Sequence, residues 1–194
     1  MNTNIYIIII VVLVLVVLGL ILGSVFSKSQ RSKKYATKYG SEYDTTVKSM
    51  GNESKAQKEM DNRKKHVDSL DIRSLTLAER EKYLSEWKAV QVKFIDQPGP
   101  ATVEADHLIM EVMQLRNYPV SDFDQRAADI SINYPELVSN YRLARAIAIK
   151  NEQHKADTEE LRQALVYYRS LFNELLVTEE AVPAKVSEMV PEKV

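Results

Sequence analysis

The apolar positions fall into three regimes along the chain. Residues 5–26 are apolar almost throughout: 18 of these 22 are Ile, Leu, Val or Phe, the others are Tyr6, Gly19, Gly23 and Ser24, and none is charged. A helix of that length measures about 33 Å, enough for a hydrocarbon core of about 30 Å. Ile and Val favour strands in water. In lipid, only a helix lets a single segment satisfy its own backbone hydrogen bonds. The run therefore predicts a transmembrane helix over 5–26. The residues before it carry no Lys or Arg, and a cleaved signal has an apolar stretch of only about 7–15 residues. The run thus reads as a signal-anchor.

Periodicity is lost over residues 27–69. This stretch is polar, first basic and then mixed, with Gly40 and Gly51 inside it. It reads as a flexible juxtamembrane linker leading into a charged helix over 55–68 that buries little.

A spacing of three and four returns at residue 70. Thr76 and Glu79 form a capping box, and the helix behind it runs to about 95 with Leu77, Leu84, Trp87, Phe94 and Ile95 on one side. Pro98, Gly99 and Pro100 end it, and Pro100 opens a second helix over 101–116 with Ala101, Ala105, Leu108, Val112 and Leu115 as its stripe. Ser121 to Asp124 cap a short helix to about 132, burying Phe123, Ala127 and Ile130. Pro135 opens a fourth helix to about 150, burying Leu137, Val138, Tyr141, Ala144 and Ile147 or Ala148. Asp157 and Glu160 cap the last, to about 177, with Leu161, Leu165, Tyr168, Phe172 and Leu175 as a sharp seam. Such a seam fits a bundle or a coiled coil with a partner, and five helices of similar polarity favour the bundle. Residues 178–194 have no period and read as a disordered tail. The expected fold is all-α: an N-terminal transmembrane helix (5–26), a linker and polar helix (27–69), a bundle of about five helices (70–177) and the tail.

Charge adds a direction. No basic residue precedes the apolar run, whereas Lys28, Arg31, Lys33, Lys34 and Lys38 follow it before the first acid, Glu42. The positive-inside rule then places the C-terminal domain in the cytoplasm, on a single-pass protein of the plasma or inner membrane, with these five cations against lipid headgroups. Gly19 and Gly23 form a G-x-x-x-G that lets two such helices pack as a homodimer. Overall the chain has 26 Lys and Arg against 27 Asp and Glu, which argues against nucleic-acid binding. It has no cysteine, which excludes disulfides, thiolate zinc sites and a cysteine nucleophile.

Candidate chemistry is sparse. Glu104 and His107 make one E-x-x-H, where a di-iron bundle needs two and further glutamates. Asp122, Asp124 and Asp129 lack the glycine and closing glutamate of a calcium loop. There is no G-x-S-x-G turn and no Gly-rich phosphate loop. The expectation is no metal, no cofactor and no enzyme.

Several short runs carry a resemblance: Glu104-Ala-Asp106, Asn117-Tyr-Pro-Val120, Asp122-Phe-Asp-Gln-Arg-Ala-Ala-Asp129, Tyr134-Pro135, Tyr141-Arg142, Leu161-Arg-Gln-Ala164 and Tyr168-Arg169-Ser-Leu-Phe172. Together they resemble a group of bacterial membrane or secreted proteins of no assigned activity. The resemblance implies a bacterial origin and an N-terminal anchor, and it carries no site residues. The functional expectation is a protein-interaction or scaffold module at the membrane's inner face. Its candidate surfaces are Tyr118, Asp122, Asp124 and Arg126, and the helix over 55–68. The alternatives are an envelope-side domain of opposite topology, or an enzyme whose site gathers acids such as Glu104, Asp129 and Glu160.

Overall fold

The computed structural model describes residues 3–177, with side chains described from residue 29 onward together with Leu13, Leu15 and Gly19. The described residues form seven α-helices: α1 (Thr3–Met50), α2 (Glu53–Ser69), α3 (Leu77–Asp96), α4 (Pro98–Leu115), α5 (Phe123–Asn133), α6 (Val138–Glu152) and α7 (Thr158–Leu175). The all-α expectation holds, and α3 to α7 are the five expected helices, though α3 buries Tyr83, Trp87 and Val90 and leaves Leu77 and Ile95 of its expected stripe exposed. The tail expected over 178–194 lies outside the described residues. The chain divides into two compact units, Met1–Asp61 and Asn62–Val194.

In the first unit the flexible linker gives way to helix. Backbone helicity begins at Thr3 and breaks once, at Gly40, with φ 50° and ψ −134°. Side chains other than glycine avoid that conformation. The break turns residues 41–50 back on what precedes them. The Tyr43 ring lies 5.7 Å from the Tyr35 ring, and its hydroxyl 3.4 Å from Ser32 Oγ. In an unbroken helix, residues eight apart would stand about 12 Å apart along the axis. Gly51, at φ 66°, makes a second turn, and Asn52 Oδ1 caps α2 by accepting from the Ser54 and Lys55 amides at 2.8 and 3.2 Å.

Tyr39, Tyr43, Ala56 and Met60 are buried here, with Glu42, Thr46 and Gln57. Gln57 Nε2 donates to the Tyr43 hydroxyl at 3.1 Å, and the Tyr35 hydroxyl donates to Asp61. Burial and then the Asp61 carboxylate push the Tyr35 hydroxyl up to about 12. The helix over 55–68, expected to bury little, thus contributes Ala56, Met60 and Val67 to buried positions.

In the second unit α4 packs against both α3 and α7, and α6 packs against α7 and also touches α4 and α5. Three expected caps are present. Thr76 Oγ1 accepts from the Glu79 amide while Glu79 accepts from the Thr76 amide, Asp157 and Glu160 do the same for α7, and Asp122 accepts from the Gln125 amide at α5. Arg73, and then the Thr76 amide, hold the Glu79 carboxyl down to about 2. Helix α4 starts at Pro98, not 101, because a proline in the first helical turn gives up no intrahelical bond. Only Gln97, at φ −136° and ψ 67°, separates it from α3. Helix α6 begins at Val138, after a turn over residues 135–137, so Pro135 stands ahead of the helix and does not open it as expected.

The core joins Trp87 of α3, Ala105, Ile109 and Met113 of α4, Ile130 of α5, Tyr141 of α6, and Tyr168 and Phe172 of α7. Trp87 and Phe172 stack with ring centroids 4.6 Å apart. Buried Arg116 ties the segment before α3 to the ends of α4 and α7. Its Nε donates to the Arg73 carbonyl at 3.0 Å, and Nη1 donates to the Tyr134 hydroxyl and the Leu175 carbonyl, each at 3.1 Å. Beside it the Leu75 amide donates to the Val177 carbonyl at 3.2 Å.

The break at Gly40 gives a direct test. No atom lies within 4 Å of where a Cβ would stand, so the cost of Gly40→Ala is conformational alone. That cost should be about 1–3 kcal/mol, seen as faster amide exchange over residues 41–50 with no change in α4 or α7.

Candidate functional site

The four residues expected to form an interaction surface do not share one. Tyr118 is buried, its hydroxyl accepting from Asn133 Nδ2 at 2.8 Å, and burial raises its pKa. Arg126 is also buried. It donates through Nε to the Tyr141 hydroxyl at 3.2 Å and through Nη1 to the Val120 carbonyl at 2.6 Å, and lies 5.6 Å from the Phe123 ring centroid. These acceptors and the ring face draw the cation inward, where sequence alone places a charge in water. Asp122 is the α5 cap and Asp124 is exposed on its first turn.

The scattered acids also have separate local roles. Glu104 pairs with Lys93, and Glu160 with Lys150 and the α7 cap, while Asp129 is fully buried. Glu104 and His107 are both exposed on α4. Among the described residues no three His, Asp or Glu side chains gather as a metal ion requires. Arg31, Lys33, Lys34 and Lys38 are exposed on α1, with Lys38 Nζ 4.8 Å from the Tyr39 ring centroid. Lys28's side chain and the surroundings of Gly23 lie outside the described set, and Gly19 is exposed, with nothing within 4 Å of where a Cβ would stand.

Among the described residues no helix is long and apolar enough to cross a membrane. Of the apolar run, side chains are described at Leu13, Leu15 and Gly19 alone, and Leu13 and Leu15 are exposed.

Two features of the second unit were not anticipated as sites. The first is a polar cluster inside the bundle, where α4 to α7 meet. Asp106 Oδ2 is 3.9 Å from Arg145 Nη1, while Asp106 Oδ1 and the Tyr168 hydroxyl are buried, the Asp106 carboxyl and that hydroxyl near enough to act on each other but neither atom in a well-formed hydrogen bond. Burial raises the Asp106 carboxyl, against the pull of Arg126 and Arg145. Burial and the Asp106 charge push Tyr141 up to about 12 and raise Tyr168 as well. The sequence did hold a clue: Asp106 stands four residues from Thr102 and three from Ile109, inside the buried stripe of α4. The cluster can hold or exchange a proton.

The second feature is a groove of about 440 Å³ between α6 and α7. Leu143, Ala146, Ile147 and Tyr167 line it, and Lys150, Asp157, Glu159 and Glu160 stand at one end. Leu143 is 50% exposed and Val166, on α7, 44%. The groove is open to solvent and can take an apolar segment of another chain.

No protein family, characterised protein or solved structure matches this chain.

The raised Asp106 carboxyl fixes a sign. A carboxyl whose folded pKa lies above its unfolded value favours folding while protonated, and loses that contribution as pH rises through the folded value. Asp106→Asn should therefore raise the melting temperature at pH 7, and the difference from the parent should shrink towards pH 4. A pair of thermal melts at each pH checks it.

Proposed function

We propose that this protein is a single-pass membrane-anchored module whose helical bundle docks a protein partner at the cytoplasmic face. The observation that carries the anchor is the uncharged run over residues 5–26 at the head of α1. Its apolar side chains favour insertion by about 5–10 kcal/mol in sum. The basic residues that follow supply the orientation, in the membrane bounding the cytoplasm.

The helical continuation changes what those cations do. With α1 unbroken to residue 39 and upright, Arg31 stands about 8 Å beyond residue 26 and Lys38 about 18 Å beyond it. Charges act over about 8 Å at physiological salt. Lys28 and Arg31 then face the headgroups, Lys33 and Lys34 lie at the edge of their reach, and Lys38 is left to its ring contact with Tyr39. The G-x-x-x-G spacing of Gly19 and Gly23 suits close packing of a second such helix in the bilayer.

We assign the partner's seat to the groove between α6 and α7. Its apolar floor and its end, where Asp157, Glu159 and Glu160 exceed Lys150 and the Glu159-paired Arg162 by one charge, suit an apolar segment carrying a basic residue. A tether raises the local concentration of any partner in the same membrane without adding contacts.

Two experiments test this reading. The full-length protein should stay in the membrane pellet at alkaline pH, and a fluorescent protein fused after Val194 should report a cytoplasmic location. Release into the supernatant without loss of the N-terminus sinks the anchor, and an active periplasmic phosphatase fusion reverses the topology. A photo-crosslinking residue at Gln163 should capture a discrete membrane partner. Leu143→Glu should abolish that capture while moving the melting temperature by less than about 2 °C. Capture that survives Leu143→Glu removes the groove from the proposal.

A further inference from the structure

The carboxylate of Asp129 is fully buried on α5 and meagrely satisfied. Oδ1 accepts from Gln125 Nε2 at 2.8 Å, and Oδ2 has no hydrogen-bond partner. The C-terminal turns of α2, residues 62–69, face it with two basic side chains. His66 Nε2 stands 3.6 Å from Oδ1, too long for a hydrogen bond but within ion-pair distance, and Arg63 adds a positive charge while its Nη1 donates to Ser131 Oγ at 3.4 Å. From the connection between α4 and α5, the Tyr118 hydroxyl feels the same carboxylate. Val67, in the same turns, is buried.

We propose that residues 62–69 form a proton-linked latch: their docking onto α5 takes up one proton from solvent, held between His66 and Asp129. In the docked state a buried carboxylate with one hydrogen bond is costly unless it gains a cation or its own proton. The fixed charge of Arg63 offsets part of that cost, a protonated His66 closer to Oδ1 offsets more, and Asp129 can instead take a proton of its own. Burial raises the Asp129 carboxyl, which acts in the same direction. For so close a pair the proton belongs to both groups, and either placement leaves the docked state one proton richer. In the undocked state Asp129 meets water and ionises, and an imidazole in water gives up its proton above about pH 6.5. Linkage then strengthens docking as pH falls, by at most about tenfold per pH unit for one proton. The gain levels off below about pH 6, where a free imidazole is itself charged.

The arrangement is a pH-sensitive clasp and is independent of the membrane reading and of the α6–α7 groove. The test is amide exchange of the full chain in detergent micelles, at pH 6, 7 and 8, corrected for intrinsic rates. Protection of residues 62–69 should rise about three- to tenfold per unit from pH 8 to pH 6, more steeply than that of α4 and α7. His66→Gln should weaken this dependence, and at a side chain 42% exposed it leaves the core untouched. Asp129→Asn should flatten it, with protection at pH 8 at least equal to the parent's. Protection independent of pH in the parent overturns the latch, and so does a slope that survives Asp129→Asn.

Discussion

Helix α4 is enclosed on two sides, and the second unit is built on that constraint. A helix between two others needs small residues where the neighbours come closest and larger ones between them. Ala101 and Ala105 serve the first need, and Ile109, Val112 and Met113 the second. Helices α3 and α7 reach past α4 and touch each other through the Trp87–Phe172 stack. The same enclosure takes Asp106 out of water, since it falls on a buried face of this helix. Its raised carboxyl, and the raised hydroxyls of Tyr141 and Tyr168, follow from the packing. The electrostatics of the interior is thus a consequence of which helix sits in the middle.

Buried polar groups recur through the unit, and they divide into two kinds. Arg116 and Arg126 are well supplied with acceptors, three of them backbone carbonyls outside a helix or at its end. Such groups fix geometry. Asp106 and Asp129 each keep one oxygen without a partner. A carboxylate in that condition makes its surroundings sensitive to protonation, whereas a guanidinium keeps its charge at any ordinary pH. The bundle therefore has rigid joints at its arginines and responsive ones at its aspartates.

Much of this bundle was legible in the sequence, because caps and apolar spacing are local signals. Thr76, Asp122 and Asp157 start the helices they were expected to start, and Leu161, Tyr168, Phe172 and Leu175 face inward as their spacing requires. The failures have physical causes. Residues 27–61 pack through Tyr39, Tyr43, Thr46, Ala56 and Met60, which are individually weak apolar signals set among charges, and the turn that brings them together depends on one glycine. Tyr118 and Arg126 looked like surface because a proline-ended loop rich in charge is usually surface. Their acceptors, Val120 and Tyr141, become neighbours only once α5 lies against α6. The α6–α7 groove is a tertiary shape, and no local pattern encodes it.

The Arg116 clasp also decides how the second unit carries tension. Residues 73 and 75 are joined to residues 116, 175 and 177 by hydrogen bonds, so the segment leading into α3 and the end of α7 meet at one pole. A pull between those two places loads the clasp directly, and the long helix contacts behind it stay slack. The clasp would part before the core shears, and the bundle would yield like a zipper opened from one end.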